Sequence, residues 1–369
     1  MIKVISVGDI MPGGILHGTK CEYLSEEVKE LLGEGSIRVG NFECGVGNEP
    51  HFVEEKMARD ADIVYVEDDD MRRLVEMNID LVSLANNHFF DLSAEGAAHA
   101  IEMLDTMGIL HCGAGRNIAE AQRPAVCTVD GKRIAFVAFC DPTMGWIPVA
   151  DKEKAGVNPL DERYSVEEIK QYKSQYDYVV AMVHWGKEHT YDVTGRVYQF
   201  AQILKKAGAD LILGGHSHRV QPMVNYRNQS IVYSMGNFLF PDRLIAPPLR
   251  VTYYPKEEID ITKLPTTNRW PEVTEVTLKK WKPLANNGMI VTSTFDGNKV
   301  KSSYVFTSIN EKGFVSVNKS IGNVRRLLDR KSFVLKYIPY IQYLRIRELI
   351  VRLQKKFHLL LPHQSSELD

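Results

Sequence analysis

Short apolar runs recur along the first 240 residues, and five of them lead straight into side chains that can hold a metal ion. A run of four to eight apolar residues bounded by turn residues suits a strand buried on both faces, and helix-length amphipathic stretches between such runs imply parallel pairing. Strands are expected at residues 2–7, 37–42, 81–84, 178–183, 211–213 and 231–234. Helices are expected at 23–32 with Ser25 in the first turn, at 71–77, at 165–174 and at 197–207 with Gly208 as the stop. Ser93 is a suitable N-cap for a helix running to Met107, and Gly108 would end it. Asp130-Gly131 between two alternating runs predicts a hairpin joining 126–129 to 133–139. The alternation as a whole predicts a layered α/β fold.

The five segments are Gly8-Asp9, Asn41-Phe42-Glu43, Asn86-Asn87-His88 with Asp91, His184-Trp185-Gly186, and Gly215-His216-Ser217-His218. In α/β sheets, functional groups gather beyond the C-terminal ends of the strands, so residues 200 positions apart can share one crevice. Carboxylates, imidazoles and an amide oxygen together suit Mn, Fe or Zn. Two neighbouring divalent ions need a bridging carboxylate, and such a pair is suited to chemistry on a phosphoryl group. In Gly-His-Ser-His the two imidazoles can address different ions if the backbone twists there. Any one of these residues alone reads as a turn cap or a surface group, and the inference rests on the ordered set.

The series GDIMPGG, VGNFE, SLANNHFFD, VHWGKE, LGGHSHRVQP and YSMGNF resembles, in order, the motifs of the CapA family of capsule and poly-gamma-glutamate synthesis proteins. That family belongs to the calcineurin-like metallophosphoesterase superfamily, and the resemblance covers residues 2–240. It implies a four-layer α/β/β/α sandwich holding one or two divalent ions (Mn, Fe or Zn). By position it makes Asp9 a ligand of the first metal and Glu43 the bridging carboxylate, where the superfamily usually has Asp. Asn87, His184 and His216 match ligands of the second metal, and His218 matches a ligand of the first. His88 matches the histidine that faces substrate, with Asp91 placed to orient it. Glu188 and Gln221 also fit the pattern and stand as candidate substrate-binding residues.

Many superfamily members carry Asp-x-His in the first motif, whereas this chain has Asp9-Ile10-Met11, and thioether sulfur suits hard divalent ions poorly. The departure bears on whether one ion binds or two. Gly13-Gly14 lets backbone pass close to the site, either as a cradle for an anion or as a plain turn. Asn237 is expected to hold the turn after the last strand. His17, His51, His99, His111 and His189 are read as non-ligands. Trp185 is expected to pack beside the site, and Trp146, Trp270 and Trp281 to pack in core or loops, with a groove lining as the alternative.

The resemblance implies a metal-dependent, phosphoesterase-like hydrolase acting on an anionic substrate, a phosphoester or a polyanionic envelope polymer. The other reading is a non-catalytic, polymer-binding component of a capsule assembly complex. A net charge of −2 over 369 residues gives no nucleic-acid footprint. Five Cys without a CxxC pair argue for small buried hydrophobes in a reducing compartment. The N-terminus does not read as a signal peptide, and no run approaches the ~18 apolar residues of a membrane span. The expected location is the cytoplasm, peripheral at the inner face of the membrane.

The expected domain spans residues 1–318. It includes a Pro-rich insertion or long loop at about 241–285 and further strands at 289–295, 300–307 and 314–317. Residues 319–369 form a basic tail. Between 324 and 361 ten Lys or Arg face only Asp329 and Glu348, interleaved with an apolar stripe broken at Pro339. Such a helix packs on the main domain or a partner, which is favoured, or rests on an anionic membrane surface or a membrane synthase.

Overall fold

The computed structural model describes residues 1–48, 62–247, 250–268, 273–340, 342–345 and 349. His51, Trp270 and the tail from Arg347 apart from Leu349 lie outside the described residues.

Strands β1 (Ile2–Ile10), β2 (Ile37–Phe42), β3 (Leu81–Ser83) and β4 (Leu110–Cys112) alternate with helices α1 (Glu26–Gly33) and α2 (Ser93–Thr106). A second unit follows: β5 (Ala125–Val129), β6 (Lys132–Cys140), α3 (Tyr164–Gln175), β7 (Tyr178–His184), α4 (Gly195–Ala207), β8 (Leu211–Gly215), β9 (Met223–Asn225) and β10 (Ser230–Val232). The chain then returns to the first sheet through β11 (Asn237–Leu239), β12 (Asn287–Asp296), β13 (Lys299–Ile309) and β14 (Val315–Val317), and ends in α5 (Gly322–Tyr337). The first sheet runs β14-β13-β12-β1-β2-β3-β4, with β11 pairing β1; the second runs β9-β10-β8-β7-β6-β5.

The layers follow from side-chain alternation. In β7, Val180 and Met182 join the core shared with the first sheet, whereas Val179, Ala181 and Val183 face Ile169 of α3 and Val197, Phe200, Ala201 and Leu204 of α4. Both faces being covered explains the unbroken apolar run. Helices α1 and α2 pack on the first sheet's side, against β14 and β4. The expected α/β/β/α order is therefore present. Local chemistry sets the boundaries: the Ser25 hydroxyl accepts from Val28 N–H at 3.3 Å, and Thr194 caps α4, which stops at Gly208 with φ +118°. Asp130 and Gly131 both have positive φ (+50° and +72°), the hairpin geometry that their sequence predicts. Ser93 departs from expectation: at φ +71° its hydroxyl donates to the Glu95 carboxylate instead of capping an amide.

Residues 241–285 are not a long loop. They build a small sheet from Arg243–Ala246, Val251–Thr252, Thr266–Thr267 and Thr277–Lys279. Its β-branched pairs are strand formers, and the intervening prolines keep each strand short. Of the cysteines, Cys44, Cys112 and Cys140 are buried as expected, while Cys21 is exposed. Helix α5 packs through Leu328 and Leu335 and leaves Phe333 and Tyr337 58% and 64% exposed. No described helix is long and apolar enough to cross a membrane.

Candidate metal centre

Asp9 lies near the end of β1, which runs parallel to β2 and β11, so Asn41 and Asn237 are its strand partners. The Asp9 N–H donates to Gly236 O at 2.9 Å, and the Glu43 N–H to Ile10 O at 2.9 Å. These bonds hold both carboxylates at the carboxyl edge of the first sheet. In the second sheet His184 ends β7 opposite Gly215 in β8. A Cβ on Gly215 would come 2.8 Å from Asp9 Oδ1, so glycine is required where the two sheets meet. The backbone then turns left-handed at His216 (φ +83°) and His218 (φ +49°). A non-glycine residue there costs of order 1–3 kcal/mol, and paired outliers of this kind gather at functional sites. This is the twist that lets the two imidazoles diverge.

Two donor sets result. His184 Nε2 lies 2.8 Å from Asn87 Oδ1, 3.2 Å from Glu43 Oε1 and 3.2 Å from His216 Nδ1. Asp9, Glu43 and His218 form the second set, with His218 Nδ1 3.4 Å from Asp9 Oδ2. Glu43 belongs to both. All five carboxylate and imidazole groups are buried, and among the described residues Asp9 Oδ2 and Glu43 Oε1 make no hydrogen bond, only the ion-pair contacts with His218 and His184. Two orphaned carboxylate oxygens, each beside imidazole nitrogens, are what a pair of cations would satisfy. The residues present therefore fit divalent ions. Met11, at the position where many superfamily members have His, is fully buried in the hydrophobic core.

The electrostatics agree. Burial, reinforced by the charge of Glu43, raises the pKa of Asp9. Burial acts on Glu43 in the same direction, but the fields of His184 and His218 outweigh it and hold Glu43 ionised. Burial disfavours a charged His218, yet the two carboxylates lift it to about 10. Burial and the neighbouring His184 push His216 well below its ordinary value.

His88 is placed as its motif implies. Its Nδ1 lies 2.8 Å from Asp91 Oδ2, which also accepts from Val64 N–H at 2.7 Å, and the ring lines a chamber with Glu188 and His218. Asn86 is the structural half of its pair: its Oδ1 accepts from the His88 and Phe89 amides and so turns Asn87 and His88 toward the centre.

Three expectations need correction. Gln221 does not face the site; its amide donates to Thr190 O and Asp192 O at 2.9 and 3.2 Å and so fixes that loop. Gly13 and Gly14 form no open cradle. The Gly14 N–H already donates to Tyr254 Oη at 3.1 Å, and a Cβ on Gly13 would lie 2.3 Å from the same oxygen. Trp281 is a site residue, its ring 4.7 Å from that of His218 and 4.9 Å from Phe240. His189, outside both donor sets, also lines the chamber, and burial followed by the charge of His218 lowers it to about 3.

Two positioning residues were missed. Asn41 donates to Asp9 Oδ1 at 2.9 Å and lies 3.3 Å from both Glu43 Oε2 and His184 Nδ1. Asn237 does more than hold a turn: its Oδ1 is 2.9 Å from His218 Nδ1, and its amide donates to Ala285 O. Both lie inside the quoted motifs: Asn41 two residues before Glu43, and Asn237 in the last motif, 19 residues after the His218 that it contacts. Trp185 packs behind His184, as expected, and donates to Tyr233 O at 2.9 Å. Of the other histidines, His17 bonds Asp70, His99 bonds Asp68 and His111 bonds Asp105.

The fold and site thus define a layered α/β protein with two donor triads sharing one glutamate. Residues 3–242 match the family described as bacterial capsule synthesis protein PGA_cap, and the chain belongs to that family. It is 29% identical over 239 residues to the PGA biosynthesis protein CapA of Bacillus subtilis (strain 168), a match covering 63% of this chain and 62% of the relative. It is also 29% identical over 251 residues to the capsule biosynthesis protein CapA of Bacillus anthracis, covering 65% and 60%. The matches therefore span about three-fifths of the length of these relatives. Among solved structures, the NAD nucleotidase of Haemophilus influenzae aligns at a TM-score of 0.41 and 10% identity, covering 88% of this chain and 61% of that one.

Proposed function

We propose that this protein is a metal-dependent, phosphoesterase-like hydrolase serving capsule or envelope polymer synthesis. The observation that carries the reading is the pair of donor triads with Glu43 in common. Divalent ions held there would supply concentrated positive charge to a phosphoryl or similar anionic group and a lowered pKa to water. Asp9, Glu43 and His218 would hold one ion, and Glu43, Asn87, His184 and His216 the other. Asn41 and Asn237 orient these ligands, as outer-shell groups do in metal sites generally. His88 faces the same chamber, and Asp91, bonded to its Nδ1, fixes the ring so that Nε2 can deliver a proton to a leaving oxygen. Manganese is the first metal to test, because the donors are mostly oxygen and imidazole.

The test is metal content of chain purified without chelator, together with hydrolysis of generic phosphomonoesters and phosphodiesters with and without added Mn²⁺. Near two ions per chain with metal-dependent turnover supports the reading. Metal-loaded protein that turns over neither ester, or turnover that His216→Ala leaves intact, overturns it. Met11 favours a second reading, in which the centre binds polymer carboxylates within an assembly complex. Helix α5 would then dock a synthase or an anionic membrane surface through Phe333, Tyr337 and its basic residues Arg325, Arg326, Arg330, Lys331 and Lys336. Ion binding with no turnover, together with loss of vesicle or partner association on removing 324–369, would favour that role.

A further inference from the structure

Helix α2 and the chain that follows β4 enclose a groove of ≈ 280 Å³, which shares no lining residue with the metal centre or its chamber. The space equals that of about nine waters and suits a small molecule. Its floor is apolar and fixed. Ala98 and Ile101 come from one face of α2, and the buried Cys112 and Ala114 from the chain opposite. Ala114 and Gly115 pair with Val157 and Gly156, and a Cβ on Gly115 would lie 2.4 Å from Glu120 Cβ, so glycine keeps this wall closed.

The charged groups around the groove are of two kinds. Two pairs are closed within the protein. Arg116 donates to both oxygens of Glu120, from Nε at 3.1 Å and from a terminal nitrogen at 2.7 Å, and His111 Nε2 lies 3.1 Å from Asp105 Oδ1. Glu102 and Arg123 are open. They line the same groove with opposite charge, yet among the described residues their side chains form no ion pair or hydrogen bond, with each other or with any other group. The chain at Arg123 is held in place: its N–H donates to Glu120 O at 3.0 Å, and Tyr172 Oη donates to the preceding Gln122 O at 2.8 Å.

A carboxylate and a guanidinium that face one cavity without pairing complement a molecule carrying both charges. A simple anion or a simple cation fits only one of them and meets the other as a like charge. We propose that this groove binds a small zwitterion of the free amino-acid class. Its ammonium donates to Glu102, its carboxylate accepts from Arg123, and its carbon rests on the apolar floor. The site is independent of the metal centre and of any hydrolysis there.

Ligand-observed NMR on the full chain tests this with free amino acids spanning apolar, polar, acidic and basic side chains. Each is also supplied N-acetylated and as its carboxamide. At least one free acid should bind with a Kd below about 1 mM, and each of its capped forms should bind at least tenfold more weakly. Glu102→Gln should weaken the free acid at least tenfold and remove the penalty for N-acetylation. Arg123→Gln should do the same for the penalty on the carboxamide. Both positions are exposed, so the fold should survive, and unchanged melting temperature and metal content verify it. Absence of binding by every free acid at about 10 mM, capped forms that bind as well as the free acid, or a preference for the free acid that survives both variants overturns the proposal.

Discussion

Replacing one ligand at a time should give a pattern of metal contents that only a shared glutamate produces. His216 belongs to one triad, His218 to the other and Glu43 to both. His216→Ala and His218→Ala should each lose one ion, and Glu43→Gln both. Four-ligand zinc sites bind with about 10–16 kcal/mol, or roughly 3 kcal/mol per ligand, so each lost imidazole should weaken its ion about 100-fold or more. At a metal concentration 100 times the wild-type Kd, losing that binding removes about 2.7 kcal/mol of stability. For a domain of this size the melting temperature would fall by roughly 3–4 °C. Metal analysis after gel filtration gives the stoichiometry, and melting with and without chelator gives the linkage. Wild-type metal content in Glu43→Gln would refute the bridging role. Loss of both ions from each histidine variant would refute two separable sites.

Four further outcomes follow from the same geometry. Asp91→Asn should lower turnover about 10²- to 10⁴-fold with metal content unchanged, because it acts through His88; unaltered turnover would remove His88 from the mechanism. Asn41→Ala should weaken metal binding about 10- to 100-fold, measured by chelator competition, whereas a purely structural role would lower the melting point and leave affinity intact. Burial lifts Glu168 to about 8 from 4.5, so the folded chain keeps a proton that the unfolded chain releases, and stability falls as pH rises between those values by up to about 4–5 kcal/mol. Glu168→Gln should therefore melt with wild type at pH 4 and well above it at pH 8; a pH-independent difference would contradict this. Phe333→Glu/Tyr337→Glu should abolish co-sedimentation with anionic vesicles if α5 rests on membrane, and equal sedimentation would remove that face from consideration.

What the sequence made legible, and what it hid, divides along one physical line. Ligands at strand ends are fixed by local rules: an apolar run stops, a polar group follows, and parallel pairing brings the ends together. Those rules mark the five segments; the resemblance picks Asp9, Glu43, Asn87, His184, His216 and His218 out of them, and the structure brings all six together. Gly215 and the positive φ of both histidines show why that motif needs its spacing. The same reasoning misplaced Gln221 and left the Gly13-Gly14 pair open between a cradle and the turn it forms. A polar or flexible residue beside a motif gives no sign of which way it faces, and here both are used up by the Thr190–Asp192 loop and by Tyr254.

The chamber's walls were hidden for a different reason. Lys279, Lys280, Trp281 and Lys282 sit about 60 residues beyond His218, in a Pro-rich stretch whose strands are two to four residues long. No periodicity survives at that length, so the segment reads as a loop. Its position comes from tertiary contact: Trp281 wedges between His218 and Phe240, and the Arg243–Asp62 pair ties the small sheet to the main chain. The two parts of the site therefore answer to different constraints. The donor triads need nearly every residue they have, because each orphaned oxygen and each left-handed histidine depends on its neighbours. Exchange of Lys280 or Lys282, outside both donor sets, should accordingly leave metal content unchanged, whereas any change at Asp9, Glu43 or His218 should alter metal binding first.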